Sequence, residues 1–134
     1  MSVVDHAGRT PLHYAAMENK VDEVKTLVRV GVDPNRGDYL GFTALHLAAQ
    51  VRALGASVAL LDAGADIDAV NSHGNTPLFV AVFNSRGRGD LIGLFRERGA
   101  DPRRVNDKGQ SPLGLARLIG NFDVAQFFAD IADY

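Results

Sequence analysis

The chain has 134 residues, with 14 Lys and Arg against 16 Asp and Glu and no cysteine. That length suits one domain, and the near balance of charge argues against a globally basic nucleic-acid binder. The missing cysteines exclude disulfides, thiolate nucleophiles and cysteine-held zinc. No run approaches the roughly 18 apolar residues of a membrane span, and the start from Met1 to His6 lacks the basic and apolar regions of a secretory signal. A cytoplasmic protein of a reducing compartment, with no cofactor and no membrane contact, is the expectation.

In chain order, one phrase is written four times. Gly8-Arg9-Thr10-Pro11-Leu12-His13 recurs as Gly41-Phe42-Thr43-Ala44-Leu45-His46, as Gly74-Asn75-Thr76-Pro77-Leu78-Phe79, and in worn form as Gly109-Gln110-Ser111-Pro112-Leu113-Gly114. The first two steps are 33 residues and the third is 35. A unit of this size cannot bury its apolar face alone, so the period predicts a stacked solenoid. Thr10, Thr43, Thr76 and Ser111 stand where helix N-caps belong, and Pro11, Pro77 and Pro112 where a first helical residue needs no N–H. A short alanine-rich helix is expected after each cap. A second helix follows in each unit, with apolar residues such as Val21, Val24, Leu27 and Val28 in the first. In the last these are Phe122, Ala125, Phe127, Phe128 and Ile131. Gly31, Gly64 and Gly99 fall at left-handed C-terminal caps, and Pro34 to Asp38 reads as a turn.

These motifs resemble the ankyrin repeat over nearly the whole chain, from Asp5 to about Ile131. The hallmark phrase stands as Thr10-Pro11-Leu12-His13-Tyr14-Ala15-Ala16, and the close of a repeat as Gly31-Val32-Asp33-Pro34-Asn35. The resemblance implies an all-α solenoid of helix–turn–helix units with β-hairpin-like fingers, covering residues 1–134 as repeats of about 5–37, 38–70, 71–105 and 106–134. It also implies a scaffold that binds proteins, in which the motif histidine ties the helix start to neighbouring backbone.

Chemistry finds little support in the residues. His13 and His46 lie on helices expected to stack about 8–10 Å apart. That is too far for a shared metal, whose bonds to nitrogen are about 2 Å. His6 and His73 fall on finger tips. Gly87 to Gly93 misses the spacing of a phosphate-binding loop and lies between two helices. Arg88-Gly89-Asp90 reads as coincidence. No serine has a base at a recognisable spacing, and Asp22, Glu23 and Asp62 read as a solvated face. Neither a catalytic residue nor a metal ligand is expected.

The departures from the repeat are the better guide to contacts. Tyr39, Leu40 and Phe42 put apolar bulk on a finger expected to be polar, and clusters of that kind favour binding. Met17 and Glu18, Gln50 and Val51, Phe83 and Asn84, then Leu118 and Ile119 extend this into a seam along the concave side, with His73 beside it. The two extra residues of the third unit lie within Asn84 to Asp90. From Arg86 to Arg104 six arginines, Arg86 and Arg88 among them, face three acids. Such a loop would steer an acidic partner surface. The expectation is a monomer or weak dimer that binds another protein noncovalently, as an inhibitor or immunity-type protein. An adaptor bridging two proteins is the alternative; a nucleic-acid role is weaker still.

Overall fold

A computed structural model describes residues 4–120 and 123–131. Its helices come in pairs: α1 (Pro11–Met17) with α2 (Val21–Arg29), α3 (Ala44–Gln50) with α4 (Leu54–Asp62), and α5 (Pro77–Phe83) with α6 (Asp90–Glu97). The fourth pair is α7 (Pro112–Leu118) with a 3₁₀ turn, Val124–Phe128. Helices α1, α3, α5 and α7 pack side by side in one row, and α2 and α4 pack behind them. This is the expected all-α solenoid.

Small residues let the front row close up. Ala16, Ala48, Ala49 and Ala81 are buried where α1, α3 and α5 meet, and leucines from each unit fill the space behind them. Three of the four expected caps accept through their side chains, whereas at Thr10 the His13 N–H bonds the backbone carbonyl at 3.0 Å instead. Thr43 Oγ1 accepts from the His46 N–H at 3.3 Å, Thr76 Oγ1 from the Phe79 N–H at 3.3 Å, and Ser111 Oγ from the Gly114 N–H at 3.0 Å. Gly31, Gly64 and Gly99 take φ of +104°, +96° and +90°. Each closes its helix with paired bonds, as when the Val32 N–H donates to Leu27 O and the Gly31 N–H to Val28 O.

The fingers are hairpin-like turns, and no strand is assigned among the described residues. Each is organised by one Asp or Asn. The side chain of Asp38 accepts from the Leu40 and Phe42 N–H groups, both at 2.9 Å, while its own N–H donates to Phe42 O. Asp5, Asn71 and Asn106 do the same in the other three fingers. One backbone bond joins each finger to the next: Tyr39 N–H to Ala7 O, Ser72 N–H to Leu40 O, and Asp107 N–H to His73 O.

Two expectations need correction. The second helix of the last unit is a 3₁₀ turn rather than an α-helix, and α7 ends on an extended Ile119 where α1 and α3 end with ψ near 0°. Phe122, expected within it, lies outside the described residues. The arginine-rich stretch is also less free than its count suggests. Arg96 forms a two-pronged pair with Asp130 at 2.7 and 2.8 Å, and Arg98 binds Asp62 at 2.9 Å.

Candidate functional site

The buried histidines explain how fingers are held to helices. The His46 Nδ1 accepts from the Thr43 N–H at 3.1 Å, so its proton sits on Nε2, which donates to Asn75 O at 2.8 Å. His13 repeats this one unit earlier, accepting from the Thr10 N–H and donating to Phe42 O, both at 2.9 Å. Burial holds both imidazoles below the usual histidine range, against the opposing pull of those carbonyls and of Asp38. They are structural, as the resemblance implies. Phe79 occupies the same place in the third unit, and a phenyl ring can donate no such bond.

A second ladder links neighbouring fingers through side chains. Arg9 Nε donates to Asp38 Oδ2 at 3.3 Å, and Asn106 Nδ2 donates to Asn75 Oδ1 at 2.7 Å. In the same register the middle link should join residue 42 to residue 71. Phe42 offers nothing, and Asn71 Nδ2 is left buried without a partner. An orphaned buried donor costs about 1–3 kcal/mol, so it calls for an explanation.

Both interruptions open onto the same place. Phe42, Gln50, Asn71, Asn75, Phe79, Val80, Phe83 and Asn84 line a cleft of about 330 Å³ between α3, α5 and their fingers. A second cleft shares Phe79 and Phe83 and is walled by His73 and by the fourth finger. A third lies on the other side of Phe83 and is lined by Ser85, Arg86, Leu115 and Ile119. Phe83 touches all three and is 70% exposed. None of the eight residues lining the first cleft is ionisable.

Of the residues singled out in the sequence, the structure gathers Phe42, Gln50, Phe83 and Asn84 into one cleft and puts His73 and Arg86 in its neighbours. Phe42 does not stand on the finger tip as expected. It is half-buried, with its ring edge-on to His46 at 5.7 Å between centroids. Tyr39, 72% exposed, and Leu40 do occupy the tip. The Tyr39 ring also lies over the neighbouring finger, where a Cβ on Gly8 would sit 2.6 Å from it. Met17, Glu18 and Val51 are not among the residues lining these clefts. Met17 is approached by Arg9, and Glu18 pairs with Lys20 at 2.9 Å. Arg88 is exposed beside the third cleft, on the loop that carries Arg86. Sequence reasoning missed Asn71, Asn75, Phe79 and Val80. The available signal was Phe79 in the histidine place of the motif.

No cluster of His, Asp or Glu able to hold a metal is found among the described residues. No helix there is long and apolar enough to cross a membrane. Ser57, one of the serines considered for chemistry, is buried and donates to Ala53 O at 2.8 Å.

The sequence matches a family model described as ankyrin repeats (3 copies) over residues 1–71, and a model of a single ankyrin repeat over residues 73–107. It is 38% identical over 118 residues to the B-cell lymphoma 3 protein homolog of Mus musculus, covering 84% of this chain and 26% of that protein. It is 36% identical over 108 residues to ankyrin repeat and SOCS box protein 6 of Homo sapiens, covering 76% and 26%. With the putative palmitoyltransferase ZDHHC13 of Danio rerio it shares 30% over 126 residues, 91% of this chain and 20% of that protein. The chain thus spans about a quarter or less of these curated relatives.

Proposed function

Because the chain belongs to the ankyrin-repeat family, we propose that it is a non-catalytic module that binds another protein through its concave face. The observation that carries this is the exposed Phe83 ring shared by three adjoining clefts. A large aromatic held in the open amid concave surface gives the contact area and rigidity on which binding hot spots are built. The contact surface comprises Phe42, Gln50, Phe83 and Asn84, with His73, Arg86 and Arg88 at its edge. With Arg96 and Arg98 paired to acids, only a modest steering of an acidic partner falls to the third-unit loop. The same pairing weakens the nucleic-acid reading.

Within that reading, inhibition by masking a partner's surface in the cytoplasm is the specialisation we favour. A concave patch in the middle of the stack suits one partner engaged face-on. The exposed tip of Tyr39 and Leu40, on the fingers rather than in the clefts, favours an adaptor as the second reading. Capture from lysate of the native source tests both. Wild type should retain a partner that Phe83→Ser combined with Phe42→Ser loses, while Tyr39→Ser leaves it in place. If the Phe variant captures the same partner equally well, the concave reading falls. Loss with Tyr39→Ser alone, for a different partner, would favour the adaptor. Assaying the captured partner with and without added module decides inhibition.

A further inference from the structure

The first cleft has chemistry specific enough to name its occupant. Asn71 is 5% exposed and lines the cleft. Its Oδ1 accepts from the His73 and Asn75 N–H groups at 2.9 and 3.1 Å, so the amide cannot be turned round without setting donor against donor. The unpaired atom is therefore an N–H donor, and it needs an acceptor. The adjacent finger would have supplied one if residue 42 were an Asn, as Asn75 supplies one for Asn106. With Phe42 there, no described residue of the chain supplies it.

The walls narrow the choice further. Phe42, Phe79 and Phe83 ask for a flat apolar body. No lining side chain carries a charge. A carboxylate would therefore lose its hydration with no cation among the cleft's own side chains to pair with. A leucine or phenylalanine would fill the space but leave Asn71 unpaired. A phenol meets every demand: an aromatic body and a neutral oxygen that accepts. We propose that this cleft receives a tyrosine side chain of the bound partner, its hydroxyl oxygen accepting from Asn71 Nδ2. The cleft opens beside the exposed Phe83, so the occupant belongs to a larger surface that covers that ring as well. This rests on the protein-binding reading above.

The test needs no partner in hand. The full chain, labelled with ¹⁵N, is titrated with p-cresol as the tyrosine side-chain mimic, and separately with toluene and with propionamide as a glutamine mimic. The Asn71 side-chain amide resonances should move with p-cresol, and p-cresol should bind about fivefold or more tighter than toluene, the value of one modest hydrogen bond. In Phe42→Asn those resonances should already be displaced in the free protein, through the restored link, and p-cresol should no longer move them. The proposal is overturned if p-cresol leaves the Asn71 resonances unmoved, if toluene binds as tightly, or if propionamide binds more tightly. Such a result, with partner capture still dependent on Phe83, would remove the tyrosine and leave the module's role intact.

Discussion

His13 and His46 each place an acceptor, Nδ1, against a backbone N–H and a donor, Nε2, against a carbonyl. A second ring proton would face the Thr N–H, and burial penalises the charge it brings. Their folded-state pKa values therefore lie below the roughly 6.5 of an unfolded histidine. The unfolded chain binds more protons between those values, so this stability is fully present above about pH 6.5 and is lost as the pH falls through the folded-state values. The urea midpoint should fall between pH 7.5 and 5.5, before most carboxylates titrate. His46→Ala should flatten that slope and cost about 2 kcal/mol at pH 7.5, since it orphans the Thr43 N–H. A midpoint unchanged over this range would mean that the imidazoles are not held neutral. That these histidines tie the helix start to neighbouring backbone was implied by the family resemblance of the repeated phrase. The orphan at Asn71 was not, because it depends on which residue the neighbouring finger brings opposite.

Among the elements, the loop between α5 and α6 departs most from the pattern. It runs from Asn84 to Gly89, where the first two units use three residues, and it turns through Arg86 at φ +51° and Gly87 at +85°. Its last residue touches the next unit. A Cβ on Gly89 would lie 2.2 Å from the Phe127 ring, too close for either side to keep its place. Gly89→Ala should therefore displace the 3₁₀ turn Val124–Phe128 by pushing Phe127 off the loop. Hydrogen exchange should speed up in that turn and in α7, with α1 to α4 unchanged; unaltered exchange in the turn would show that Phe127 does not rest on Gly89. The sequence placed the two extra residues in this loop, and the cap glycines were legible too, because each is a local backbone demand. Pairing of Arg96 with Asp130 and of Arg98 with Asp62 was not, since those partners lie 34 and 36 residues apart. Phe42 was misplaced for a related reason: whether a finger residue faces solvent or a cleft is decided by the next unit.

In the whole molecule each unit touches only its neighbours, so stability is a sum of unit and interface contributions and the stack can open from either end. The front row is continuous through α1, α3, α5 and α7, but the back row is not. Helix α2 lies along α4, whereas α6 meets α4 only marginally. The Arg98–Asp62 pair bridges that gap, yet both side chains are substantially exposed, and such pairs contribute little. The joint between the second and third units therefore rests on α3 against α5 and on the fingers, which is also where the Phe42–Phe83 cleft lies. Losing a core side chain should then unfold the stack on its own side of this joint first. Phe128→Ala should raise exchange in α5 to α7 while α1 to α4 keep theirs in low urea, and Val24→Ala should do the reverse. Uniform loss of protection along the chain in both variants would mean that the four units unfold as one. A partner seated across Phe42 and Phe83 binds both sides of the joint. It should therefore restore protection in whichever half the substitution loosened, because binding the closed stack shifts the equilibrium away from the opened one.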